Sequence, residues 1–525
     1  TAGHNTGYTF DTTSGTLEAA SGTTIAVLGG TVNIGSGSSF QGTGSINIGS
    51  SATVNLTGDV TVTSGLTSLA FGGSATLVDA DAGGMPVLTN QLTTDLSLQA
   101  DTVNVDFTNQ GVATITGSTF SQAVINSGTL KAYQGTTTFA GTSSFTNQAG
   151  GTLWVETTAR STVANVTYAN GLTNAGEIVL YGEQDGGTGN WGYGHLTVSA
   201  GVLANSGTIR ALADSAGVST HEHHITGSVT NTGTITTDNG TITGVDWDLR
   251  VNNTGYTFDT TSGTLEAASG TTIAVLGGTV NIGSGSSFQG TGSINIGSSA
   301  TVNLTGDVTV TSGLTSLAFG GSATLVDADA GGMPVLTNQL TTDLSLQADT
   351  VNVDFTNQGV ATITGSTFSQ AVINSGTLKA YQGTTTFTGT SSFTNQAGGT
   401  LWVETTARST VANVTYANGL TNAGEIVLYG EQDGGTGNWG YGHLTVSAGV
   451  LANSGTIRAL ADSAGVSTHE HHITGSVTNT GTITTDNGTI TGVDWDLRVN
   501  NTGYTFDATS GTLEAASGTT ITVSG

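Results

Sequence analysis

The chain repeats itself at a fixed distance of 248 residues, and that interval constrains its fold more than any other feature. NTGYTFD runs from Asn5 to Asp11, again from Asn253 to Asp259, and again from Asn501 to Asp507. Residues 5–252 are followed almost letter for letter by residues 253–500, with Ala140 against Thr388 as the clear internal change. A third copy opens at Asn501 and differs at Ala508, Thr522 and Ser524. The organisation is therefore a first copy over 5–252, a second over 253–500 and the start of a third over 501–525. A unit that can be appended without redesign suits a solenoid, in which each turn of chain touches only its neighbours.

A shorter phrase recurs inside each copy: Asn, one residue, Gly, then an apolar residue. It reads NQGVATI at Asn109, NSGTL at Asn126, NAGEI at Asn174, NSGTI at Asn205, NTGTI at Asn231 and NTGYTF at Asn253, with a stretched NQAGGTL at Asn147. Successive intervals are 17, 21, 27, 31, 26 and 22 residues. The shortest approach one coil of a β-solenoid, and the longer ones hold a coil plus a loop. Asn and Gly suit a sharp corner because both tolerate left-handed backbone. Recurring Asn residues can stack as an amide ladder. The front of the copy keeps only the alternation, as in TVNI at Thr31, SINI at Ser45 and TVNL at Thr53. This pattern turns Val32, Ile34, Ile46, Ile48, Val54 and Leu56 inward and Asn33 outward. A hairpin array, a propeller or a string of sandwiches would alternate similarly, but parallel coils explain the corner spacing as well.

The phrases VINSGTL, LTNAGEI, LANSGTI and VTNTGTI resemble the repeats of bacterial surface exoproteins of the filamentous-haemagglutinin and autotransporter type. The likeness covers roughly Asn109 to Phe258; the front of each copy shares only composition. It implies an all-β, right-handed parallel β-helix, export, and service as an adhesin or surface fibre. The secretion domain and carboxy-terminal anchor of those families are not visible in the sequence.

Charge narrows the partners. Thirty-six acidic residues stand against 8 basic ones, for a net charge of −28. Lys131, Arg160, Arg210, Arg250 and their copies do not cluster, and nucleic acid and anionic membranes both require a basic stripe. No apolar run reaches the length of a membrane helix. Cysteine is absent, so the chain must be held by backbone pairing and packing. The sequence begins at Thr1, its two methionines are Met85 and Met333, and the third copy breaks off at Gly525. The expectation is a slice of a longer polymer whose chief partner is itself, through continuing repeats and lateral bundling.

Three stretches carry candidate chemistry. HEHH at His221 to His224 and again at His469 to His472 would place His221 with His223, and His469 with His471, on one solvent-facing side of a strand as metal ligands; the plainer reading is an exposed polar turn. The Gly-rich EQDGGTGNWGYGH from Glu183 to His195 offers Glu183, Asp185, Trp191 and Tyr193, with Trp439 and Tyr441 in the second copy, as a glycan-binding or lateral contact; folding back onto the solenoid is the plainer reading. Asp79 and Asp81 in VDADAGG alternate as in calcium loops, without an EF-hand or nonapeptide pattern. No cofactor beyond that calcium is expected, and no nucleophile elbow, P-loop or paired-His zinc motif occurs. The reading is a non-enzymatic extracellular structural fibre or surface stalk. The alternative is an adhesin presenting repeated glycan- or receptor-binding loops at the bacterial surface.

Overall fold

The computed structural model describes the chain apart from residues 1, 5–6, 50, 64, 142–144, 159–161, 184–191, 214–222, 239–247, 312, 390–392, 407–409, 432–439, 461–470 and 487–496. None of the described residues is helical. By internal contact the chain divides into two compact units, Thr1–Val275 and Leu276–Gly525. The boundary between the first two sequence copies therefore falls inside the first unit.

The first unit is a parallel β-helix. Each coil lays one strand on each of three faces and then climbs to the next coil. Successive coils pair in register and in parallel, as in Thr129–Tyr133 with Thr152–Thr157, Gly135–Phe139 with Val163–Tyr168, and Phe145–Asn147 with Leu172–Asn174. The second unit repeats this arrangement, as in Thr377–Tyr381 with Thr400–Thr405. Parallel pairing separates the fold from hairpin arrays and meanders, whose neighbouring strands run antiparallel. The alternation of the sequence becomes the alternation of burial. Val32, Ile34, Val54 and Leu56 are at most 1% exposed, while Asn33 and Asn55 point outward. The outward amides join across coils, Asn55 Nδ2 donating to Asn33 Oδ1 at 2.9 Å.

The Asn corners align. Asn109, Asn126, Asn147, Asn174, Asn205 and Asn231 each close a strand on the third face and are at most 1% exposed. Each Nδ2 donates to the Oδ1 of the Asn one coil on, at 2.7 Å in every step from Asn109 to Asn231. The second hydrogen of the amide goes to a carbonyl of that next coil, as from Asn147 to Glu177 at 3.0 Å. The ladder begins one coil earlier than the phrase suggests, at Asn90 in LTNQL, whose Nδ2 donates to Asn109 at 2.7 Å. It also ends differently. Asn253 is buried elsewhere, and the rung after Asn231 is Thr260, reached at 3.4 Å. The second unit carries the same ladder from Asn338 to Asn479.

The corner glycines correct the conformational argument. Gly111, Gly128, Gly176, Gly207 and Gly233 are not left-handed. They are required by proximity: a Cβ on each would lie 2.0–2.2 Å from a carbonyl oxygen of the preceding coil.

A copy is not a whole number of coils. Among the described residues the first copy supplies ten strands to the first face, eleven to the second and ten to the third. It holds ten coils and one strand. The opening strands of the second copy consequently land one face on from their counterparts. Thr9–Asp11 pairs with Thr31–Ile34 on the second face, whereas Thr257–Asp259 stacks on the third, Phe258 opposite Val229. The stack passes the copy boundary without a linker: Leu249–Asn252 is a strand in register with residues 223–226, and Val251 is fully buried.

The corner carries two testable consequences. Gly207→Ala should destabilise by about 3 kcal/mol or more, because overpacking meets backbone rather than a movable side chain. Asn174→Ala should cost about 1–3 kcal/mol by leaving buried ladder partners unsatisfied. Denaturant unfolding with hydrogen exchange of the adjoining coils reads both, and wild-type stability in either variant would contradict the corner's role.

Candidate interaction surface

Among the described residues, aromatic and paired charged side chains gather outward on the first face, across four coils. The strands there are Thr129–Tyr133, Thr152–Thr157, Glu177–Gly182 and Thr208–Leu212. Alternation sends Leu130, Leu153, Ile178 and Ile209 into the core and the residues between them outward. Register then builds two outward columns. One runs Lys131, Trp154, Val179, Arg210; the other runs Tyr133, Glu156, Tyr181, Leu212. Trp154 meets Tyr181 edge to face, with ring centroids 6.3 Å apart. Val179 occupies an outward position yet is fully buried, between Trp154 and Arg210 in its column.

The charges on this face are paired. Lys131 lies 3.7 Å from Glu156, and Arg210 bridges Glu177 at 3.0 Å and Asp238 at 3.6 Å. The Tyr133 hydroxyl and Thr158 Oγ1 share a hydrogen bond of 2.7 Å, and the Tyr181 hydroxyl donates to Glu183. The second unit carries the same surface. Trp402 and Tyr429 are again 6.3 Å apart, and Arg458 bridges Glu425 at 3.2 Å and Asp486 at 3.6 Å. Burial holds the Glu404 carboxyl above its usual range, against the lowering influence of Lys379. These ion pairs are part-exposed, so they orient side chains more than they stabilise the fold.

The residues expected from sequence to form sites are placed differently. Asp185, Trp191, Trp439, His221 and His469 lie outside the described residues. Glu183 sits where the Gly-rich insertion leaves the sheet: its N–H donates to Thr157 O at 3.1 Å and its carbonyl accepts from Gly192 at 3.2 Å. Tyr193 and Tyr441 are not on a projecting loop. They open the long strands Tyr193–Asn205 and Tyr441–Asn453, because the chain rejoins the second face there. His223 and His471 are not on the solvent side either; each is 3% exposed. Their alternation with His224 was right and the face was inverted, since Ile225 and Val229 fix the register inward. His223 Nδ1 accepts the Gly194 N–H at 3.2 Å, and desolvation pushes His471 down to about 4. The outward histidines are His195 and His224, stacked 4.3 Å apart and 5° from parallel. Asp79 and Asp81 cap successive turns, accepting from Asp81 N at 2.8 Å and Gly83 N at 3.1 Å. Among the described residues no three His, Asp or Glu side chains converge as metal ligands.

Trp154 and Tyr181 were not singled out by sequence reasoning. Their signal was present: in TLWVET, Trp154 and Glu156 alternate with Leu153 and Val155 and so must face outward. No family model matches the chain, and neither a curated protein nor a solved structure is significantly similar to it.

Three buried carboxyls make the coil stack sensitive to pH. Desolvation pushes Asp101, Asp248 and Asp349 up to about 7, against hydrogen bonds that lower them, such as those from Ala75 and Gln99 N–H to Asp101. A folded-state value above the unfolded one means a contribution that is full below the unfolded value near 3.8 and lost as pH rises through about 7. His471 works in the opposite sense: its contribution is present above 6.5 and is lost as pH falls through about 4. Lowering the pH from about 8 to 6.5 should therefore raise the melting temperature. Replacing Asp101 and Asp349 with Asn should flatten that rise. A melting temperature that climbs steadily with pH through this window would contradict the assignment.

Proposed function

We propose that this chain is a segment of an extracellular structural fibre or cell-surface stalk, lengthened by appending copies of one β-solenoid unit. The observation that carries the reading is the boundary at Asn253. Coil stacking crosses it through Leu249–Asn252, with Val251 fully buried and Ile235 opposite Leu265. A chain of independent domains would place an exposed linker at such a join. Copying the unit adds strand pairs and core without altering the rest, and a strongly acidic surface keeps neighbouring chains apart. The resemblance of the Asn-x-Gly phrases to bacterial surface exoproteins supports an extracellular or bacterial-surface location.

An adhesin is the second reading. The paired aromatic and charged surface around Trp154 and Tyr181, present in each compact unit, favours it.

Recombinant chains with one, two and four copies test the fibre reading under the electron microscope. Each added copy should lengthen the particle by about 50 Å, from ten coils at roughly 4.8 Å. Particles whose length does not grow with copy number would refute the reading. Immunogold labelling of the source cells should place the chain outside the membrane; an internal label would refute the location.

A further inference from the structure

The geometry points to a neutral-glycan site in each unit, centred on Trp154 and Tyr181 in the first and on Trp402 and Tyr429 in the second. It rests on the second reading above and names the ligand class for it. The surface joins two kinds of contact. Tyr133, Trp154 and Tyr181 are part-exposed aromatic side chains placed on three successive coils. Aromatic rings of this kind pack against the apolar C–H face of a sugar while their polar ends stay wet. Beside them stand hydrogen-bonding groups of both senses: Lys131 and, one coil beyond Tyr181, Arg210 as donors, with Glu156 and Glu177 as acceptors. A hydroxyl both donates and accepts, so it is served by such a mixture.

Charge and spacing select the occupant. The two cations of the surface already face carboxylates at 3.7 Å and 3.0 Å, and the chain as a whole carries −28. An acidic polymer would meet repulsion without a free cation to offset it. A neutral polysaccharide meets none. The rings advance by one coil each, about 4.8 Å, which is close to the length of one pyranose unit. A sugar chain lying along the coil axis would pass Tyr133 and Tyr181 in one column, two coils apart, with Trp154 in the neighbouring column on the coil between them. Each ring is held in place. Tyr133 shares a hydrogen bond with Thr158, Tyr181 donates to Glu183, and Trp154 meets Tyr181 edge-on above the buried Val179.

Affinity electrophoresis of the full chain tests this. Native gels are cast with a soluble β-glucan, with galactomannan, or with polygalacturonate as the acidic control. The expected result is retardation in at least one neutral gel and none in polygalacturonate. The combined variant Trp154→Ala, Tyr181→Ala, Trp402→Ala and Tyr429→Ala should weaken retardation at least about tenfold, the loss of one good stacking contact. Should that variant fail to fold, the pair Trp154→Phe and Trp402→Phe decides, weakening retardation while the melting temperature holds. Retardation by polygalacturonate alone would leave an adhesin standing and overturn the neutral-glycan site. Absence of retardation in every gel, or parental retardation in the folded aromatic variants, would overturn it as well.

Discussion

The structure depends on how closely one coil can sit on the next at a single corner. At Gly207 a carbonyl oxygen of the preceding coil occupies space that a Cβ would need, 2.0 Å away, and Gly111, Gly128 and Gly233 repeat the condition. That approach brings the adjacent Asn side chains within 2.7 Å of one another. Each amide then donates one hydrogen along the ladder and the other to a backbone carbonyl, and its oxygen accepts from the rung before. Amides ordered head to tail polarise one another, and burial strengthens each bond and raises the cost of losing it. The ladder fixes the register of the third face from Asn90 to Asn231.

Below the ladder, at the front of each copy, register is held differently. The amides there lie outside, as in Asn33 and Asn55, and the inward Val and Ile columns carry the alignment. This division explains how the copy can contain ten coils and an odd strand. Thr16–Ala19 lies on the third face beside Ser39–Gly42, while its counterpart Thr264–Ala267 stacks on Thr234–Thr237 of the first. A segment with no committed corner residue fits either face, because its demand is only an apolar residue at every second position. The ladder closes at Thr260, not at another Asn, at this change of face.

Much of this was legible in the sequence, and the misreadings have physical causes. Asn126, Asn174, Asn205 and Asn231 marked the corner because an amide that pairs with itself must recur. Asn90 was missed because LTNQL lacks the glycine, its coil turning through Leu92, whose N–H donates to Asn90 Oδ1 at 3.0 Å. Asn253 was included because its phrase has the right letters, yet Tyr256 N–H donates to its carbonyl in a separate turn at 2.8 Å. The histidines went to the wrong face for a related reason. HEHH reads as a polar turn, but the strand His223–Asn231 already includes its last two residues, and Ile225 sets the parity. Nothing in local sequence tells that the neighbouring coil offers Gly194 as a donor to a buried imidazole. Trp154 could have been found, since parity alone turns it outward.

The first face shows what the scaffold does with freedom left over. Inward positions are fixed by packing; outward ones are free to vary, and on this face Lys131 and Arg210 share a column with Trp154. The ladder itself is open to one direct measurement in the intact chain, the hydrogen exchange of assigned Asn side-chain amides by NMR. The account predicts slow exchange at Asn126, Asn147, Asn174 and Asn205, which are at most 1% exposed, and fast exchange at the outward Asn47. Equal, rapid exchange at all five would show that the amides are not stacked from coil to coil.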